Sequence, residues 1–263
     1  NQLKNEQTEK LEKQVKERTQ EISDKNLILS QQNKEIINSI TYAQRLQQAI
    51  LPTPLELKQE LKEVEVLFRP KDIVSGDFYW IQNTKDKVYF AVSDCTGHGV
   101  PGAMVSVLGN NSLNRCIKEY NLSDSAKILD SLTDMITEAF SSKAISVSDG
   151  MDIALCVWDR KDKLEFSGAF NPLYLLRNKE IIEFKGDKQP IGKCENKKAF
   201  TKHEIILQEG DQVYLFSDGY ADQFGGPKAK KLKYSNFKEY LINTSSLEIS
   251  DSVDSLETKF DEW

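Results

Sequence analysis

The chain has 263 residues and a formal net charge of −6 at pH 7, enough length for one sizeable domain plus an extension. Hydrophobic residues make up 39% and charged ones 29%, and the apolar shortfall lies in a Gln-, Lys-, Glu- and Asn-rich stretch over the first fifty residues. An acidic chain whose aromatics are not interleaved with a basic patch argues against nucleic-acid binding, and no run approaches the ~20 apolar residues that a membrane-spanning helix needs.

The polar N-terminal stretch carries a seven-residue repeat. Val15, Ile22, Leu29, Ile36, Ala43 and Ile50 recur every seventh position, while the companion seam falls on Leu11, Arg18, Lys25, Gln32, Ser39 and Leu46. One apolar seam and one mostly polar seam predict a long helix over 1–51 that pairs weakly, as a parallel dimeric coiled coil, or else docks on its own domain. A seam this weak is easy to re-register, which suits a signal-transmitting helix. Pro52 and Pro54 end it, and 52–63 is expected to be a linker.

From Val64 the pattern changes to strands, expected at 64–68, 77–83, 88–94, 153–159, 163–169, 173–177, 181–184, 199–207 and 212–217. Helices are expected at 101–119, 123–140, 228–243 and 250–263, with Val105, Leu108, Ser112 and Ile117 on one face of the first. Many antiparallel strands with two helices inserted after the third imply an α+β layered fold, helices packed on a β-sandwich, over 64–263. The chain begins at Asn1 without Met or a signal peptide, so it is expected to be the later part of a longer protein.

The chemistry lies in acidic-glycine turns that follow strand-like runs: Ser75-Gly76-Asp77-Phe78, Ser93-Asp94-Cys95-Thr96-Gly97-His98-Gly99 and Phe216-Ser217-Asp218-Gly219. Each puts a carboxylate at a sheet rim beside open backbone. Three carboxylates brought together would make an oxygen-rich site for hard divalent cations. The helix expected to start at Pro101 directly behind the second turn favours an anion such as phosphate, although one Asp-Gly loop taken alone fits a structural turn equally well. His98 and His203 are the only histidines, which leaves little for a zinc centre or a His-relayed serine hydrolase. Cys95, Cys116, Cys156 and Cys194 lack zinc or redox spacing and read as free thiols of a reducing cytoplasm. Lys228-Ala229-Lys230-Lys231-Leu232-Lys233 reads first as a solvated loop, and second as an electropositive lip for an acidic or phosphorylated partner.

Taken in order, Arg69 to Tyr79, Asp94 to Gly99, Ser167 to Leu175 and Leu215 to Gly219 resemble the metal-dependent PPM-type serine/threonine phosphatases, specifically the bacterial SpoIIE-like and RsbU-like branch. The helical segment Ser39 to Pro52 is similar to the linker preceding that domain in sensor-coupled members. The resemblance implies a central β-sandwich flanked by helices and two Mg²⁺ or Mn²⁺ ions at one edge. It implies metal binding by Asp77 largely through water, a bridge between both ions by Asp94, the Cys95 carbonyl on the second ion and Asp218 on the first. A bridging water would then attack phosphoserine or phosphothreonine. Asp149 lies where some members place an Asp for a weaker third ion, with Asp152 competing for the role and a plain loop Asp as the other reading. Trp80 stands where many members carry a second Asp. Members also end in a strand with an Asp-Asp pair, so the resemblance implies one further ligand and one core strand beyond Trp263, and reduced activity without them.

His98 is read as shaping its loop, with general-acid action as the second reading, and Arg69 or Lys71 as a guess for holding substrate phosphate. Asn171-Pro172, similar to the Gly-His-Pro-Pro turn of relatives, is read as structural. By the same resemblance the expected substrate is a phosphorylated STAS-type anti-sigma-factor antagonist, with a homodimer through the N-terminal helix, a cytoplasmic catalytic domain, and an upstream sensor in the full protein as a route of membrane attachment. The alternative is a catalytically impaired PPM-fold docking module held together by its coil. A nuclease or cyclase fits the carboxylates but not the acidic surface or the ordered motifs.

Overall fold

The computed structural model describes residues 2–141, 149–226 and 229–263, with side chains of the first helix described from Thr8 onward. The chain divides into two units, 1–46 and 47–263. The polar stretch is one helix, α1 (Gln2–Gln48). Glu21 bridges Arg18 and Lys25 at helical spacing, exposed pairs of the kind that support a solvated helix. Val15, Ile22, Leu29 and Ile36 of the heptad seam are all exposed along it.

The expected linker contains a helix of its own, α2 (Pro54–Leu61). Thr53 and Glu56 form a reciprocal capping box, and Pro54 takes the first helical position, where its missing N–H costs nothing. The same prolines that end α1 therefore begin α2. Residues 64–68 pair with no strand. Phe68 instead packs edge-on to Tyr79 at 5.5 Å and Leu67 against the core beneath the last helices, while Val66 is left exposed.

β1 (Phe78–Asn83) and β2 (Val88–Cys95) precede α3 (Gly99–Lys118) and α4 (Ser125–Phe140). There follow β3 (Met151–Trp158), β4 (Lys163–Ala169), β5 (Leu173–Arg177), β6 (Glu180–Phe184), β7 (His203–Ile206) and β8 (Gln212–Leu215). The chain ends with a short ribbon, β9 (Phe224–Gly225) and β10 (Lys230–Lys231), then α5 (Tyr234–Thr244) and α6 (Ile249–Glu262). The two central helices follow the second strand rather than the third, because 64–68 joins no sheet. β7 is shorter than expected because the N–H groups of Phe200 and Thr201 are taken by the carboxylates of Asp130 and Asp187 instead of a ladder. The helix expected from Lys228 starts only at Tyr234: Lys230 and Lys231 pair as β10, and Lys233 takes φ 74°, which a helix interior rejects. Lys228 itself lies outside the described residues, as does Ser148 of the loop before Asp149.

Two antiparallel sheets stack, one in the order β1-β2-β3-β4-β7 and one in the order β6-β5-β8. The period of two along the strands explains the layers. On β3, Ile153, Leu155 and Val157 face a core shared with Leu113, Ile117, Leu129 and Leu132 of α3 and α4. Ala154 and Cys156 face the other way, into a core with Leu173 and Leu175 of β5. Tyr174, between those two, packs outward on Phe237 and Leu241 of α5 and Leu256 of α6. The order is thus helices, sheet, sheet, helices. Trp80 belongs to the first core, its indole N–H donating to Asn114 at 3.1 Å, so this position serves packing.

Candidate active site

Strand register collects the acidic turns at one edge of the sandwich. Asp77 directly precedes β1, Asp94 is the last residue but one of β2, and Phe78 pairs with Ser93. Asp152, second in β3, pairs directly with Asp94. Asp218 arrives from the other sheet: Phe216 and Ser217 leave the ladder after β8, and the Ser217 hydroxyl donates to Asp77 Oδ2 at 2.6 Å. The loop of Asp94 turns at Gly97, φ 86°, and the start of α3 packs so tightly on it that a Cβ at Gly102 would lie 2.4 Å from the Gly97 carbonyl oxygen. Thr96 binds the strand opposite, its N–H donating to the Gly150 carbonyl and its hydroxyl accepting from the Gly150 N–H.

The carboxylates crowd one another. Burial, then the charges of Asp77, Asp218 and Asp152, push Asp94 up to about 8. Burial and the charge of Asp218 push Asp152 up to about 6. Asp218 is raised as well, by burial first and Asp222 second. Asp77, Asp94, Asp152 and Asp218 thus form a cluster of acids in which negative charge opposes negative charge, offset at Asp218 in part by Lys231. The Cys95 side chain is packed in the core, where burial raises its thiol, so its backbone carbonyl is the donor it can offer. Among the described residues no trio of His, Cys, Asp or Glu side chains closes on one point by itself.

Of the residues singled out in the sequence, Asp77, Asp94, Cys95 and Asp218 come together. Asp149 is half-buried in the segment beside Thr96, and its charge is not among those bearing on Asp94, Asp152 or Asp218. His98 stands at the N-cap of α3 without capping it; its Nδ1 lies 2.7 Å from Asp72 Oδ2, which ties the 69–77 segment to the Asp94 loop. Arg69 is engaged elsewhere, paired with Glu257 and, at 2.8 Å, with Asp261 of α6. Asn171 sits in a tight turn where a Cβ at Gly168 would meet its carbonyl oxygen at 2.3 Å, in keeping with a structural reading.

Sequence reasoning named Asp152 only as a competitor of Asp149 for an accessory role, and missed two further contributors. Tyr234, the first residue of α5, has its phenol raised by burial and then by the charges of Asp218, Asp222 and Asp94. Gln47, in the last turn of α1, is buried, and its carboxamide Nε2 donates to the Ser75 carbonyl at 2.6 Å and the Ser106 hydroxyl at 2.9 Å while Oε1 accepts from the Ser75 N–H. Nothing in the sequence marks this Gln among the many around it.

The family model described as stage II sporulation protein E (SpoIIE) matches residues 84–262. The phosphoserine phosphatase RsbU of Bacillus subtilis (strain 168) is 25% identical over 197 residues, 72% of this chain and 55% of that protein. The chain thus spans about half the length of that relative. The SiaA-PP2C domain of Pseudomonas aeruginosa superposes with a TM-score of 0.79 at 30% identity, over 88% of this chain and 91% of that one. The PP2C phosphatase domain with a fragment of the regulatory domain of SpoIIE from Bacillus subtilis shares the fold, with a TM-score of 0.56 at 20% identity over 71% of this chain and 52% of that one.

Proposed function

The chain belongs to the stage II sporulation protein E (SpoIIE) family, and from that premise we propose that residues 64–263 form a metal-dependent phosphatase acting on phosphoserine or phosphothreonine of a regulatory protein. The observation that carries this reading is the meeting of Asp77, Asp94, Asp152 and Asp218 at one sheet edge, where burial and neighbouring acid charges raise Asp94, Asp152 and Asp218. Every donor is an oxygen, which suits Mg²⁺ or Mn²⁺ and does not choose between them.

Asp77, Asp94 and Asp218, with the Cys95 carbonyl as a neutral donor, are the residues that would hold two such ions. Asp152, rather than Asp149, is the better candidate for an accessory acid, because its charge bears on Asp218 and its strand pairs with that of Asp94. When bound, the cations supply an acidified water and neutralise charge at the phosphoryl group. The protein's part is placement. The Ser217 hydroxyl orients Asp77, the Gly97 turn and Thr96 hold the Asp94 loop, and Gln47 holds Ser75 and through it the Asp77 turn.

The same reading extends to regulation. The α1 seam would pair two copies, and a shift of that pair would move Gln47 and with it the Asp77 turn. The name of the relative RsbU, a phosphoserine phosphatase, supports phosphoserine as the target; an upstream sensing region, a phosphorylated anti-sigma-factor antagonist as substrate and action in the cytoplasm complete the proposal. No helix among the described residues is long and apolar enough to cross a membrane. The test is turnover of p-nitrophenyl phosphate with Mn²⁺ by the chain and its Asp94→Asn variant. Activity abolished in the variant supports the reading; absence of metal-dependent activity in the parent would leave a docking module.

A further inference from the structure

The lysine-rich segment after Asp218 is built into the rim of the site. The Asp218 turn closes with the Asp222 N–H donating to the Asp218 carbonyl at 2.8 Å. The chain then runs out along β9 and back along β10, Phe224 opposite Lys231. Backbone bonds from Leu232 to Gln223 and from Lys233 to Ala221, 3.0 and 2.7 Å, ladder the return leg onto the Asp218 turn, and fully buried Leu232 pins it to the core. The ribbon is therefore positioned by the same backbone that positions the site's fourth acid.

Its chemistry differs from the rest of the molecule. In a chain of net charge −6, Lys230, Lys231 and Lys233 lie exposed within four consecutive positions. Lys231 is held by Asp222 at 2.6 Å and lies 5.8 Å from the ring centroid of Phe224. Lys230 and Lys233 have no carboxylate partner among the described residues, and Phe224 is 63% exposed. Exposed cations without carboxylate partners, beside an exposed aromatic at the rim of the acidic site, have little part in packing the core. They provide a charge-complementary landing surface for acids, with one apolar anchor. Arg69, the other candidate cation, is already paired with α6.

We propose that the β9–β10 ribbon, through Lys230, Lys233 and Phe224, docks an acidic face of the phosphoprotein substrate and so presents its phosphorylated side chain to the carboxylate site. The proposal rests on the phosphatase reading and names the substrate feature it selects.

The test compares phosphoserine peptides flanked by Glu or by Lys, with p-nitrophenyl phosphate as a substrate too small to reach the ribbon, in the parent and in the Lys230→Glu/Lys233→Glu variant, all with Mn²⁺. The Glu-flanked peptide should show kcat/KM about tenfold above the Lys-flanked one, mainly through KM, and the gap should shrink as salt rises from about 0.05 to 0.5 M. The double variant should erase or invert this preference while its p-nitrophenyl phosphate turnover stays within about twofold of the parent, since an exposed rim charge does little else. Phe224→Ala should raise KM for both peptides and leave the small substrate unaffected. Equal kcat/KM for the two peptides, or a preference unchanged by the double variant, overturns the proposal. If the parent turns over no substrate, the phosphatase reading fails by itself. The ribbon is then decided by fluorescence anisotropy with unphosphorylated Glu-rich and Lys-rich peptides: tighter Glu-rich binding lost in the double variant upholds it, and equal binding overturns it.

Discussion

The Gln47 carboxamide binds both backbone groups of Ser75, donating to its carbonyl at 2.6 Å and accepting from its N–H at 3.0 Å. Ser75 lies two residues before Asp77, so the last turn of α1 and the first acid of the site share one hydrogen-bonded unit. Gln47→Ala would leave both Ser75 groups buried without partners and cost about 1–3 kcal/mol of stability. Loss of support for the Asp77 turn would raise the Mn²⁺ concentration for half-maximal p-nitrophenyl phosphate turnover by about 10–100-fold. A metal titration of parent and variant, with thermal unfolding alongside, checks this. An unchanged metal requirement would mean that Gln47 only braces the fold.

Asp152 and Asp149 separate by the same titration. Asp152→Asn removes a half-buried charge that pairs across the sheet with Asp94 and should weaken Mn²⁺ activation by about 3–30-fold. Asp149→Asn should behave like the parent. The opposite ranking would return the accessory role to Asp149.

In the absence of metal, stability should fall as pH rises. The ordinary carboxylate titrates near 4, whereas folding lifts Asp152 to about 6 and Asp94 to about 8. Between about pH 4 and 8 the native state therefore binds more protons than the unfolded chain, and each unit of rising pH erodes the advantage. In EDTA the melting temperature should be lower at pH 8 than at pH 5, and Asp94→Asn should flatten the dependence. Mn²⁺ at pH 8 should restore stability, because it binds the deprotonated acids of the native state. A melting temperature that rises toward pH 8 in EDTA would contradict the crowded-acid description.

The α1 seam should hold two copies together. Ile22→Lys with Leu29→Lys puts charge into a stripe that one chain leaves exposed, and should shift the sedimentation of the chain from dimer to monomer while the globular part keeps its melting transition. A parent that sediments as a monomer would instead make α1 a single solvated helix.

What the sequence by itself determined is local. The strand pattern marked 153–159 and its neighbours, and the period of seven marked α1. The acidic-glycine turns pointed to Asp77, Asp94 and Asp218, because a sharp turn behind a buried run leaves its mark in neighbouring residues. Tertiary structure decided which groups meet. Alternation at 64–68 reports apolar surroundings without saying whether a strand lies alongside, and here none does. The Thr53–Glu56 capping signal was present but masked by the prolines that end α1. Asp152 joins the site through the register of β3 on β2, Gln47 through packing of a helix end on the Ser75 turn, and Arg69 is drawn away by two acids of α6. Periodicity is a property of near neighbours, whereas hydrogen bonds and charge encounters between distant segments depend on register and packing, which come into being only when the sheets close.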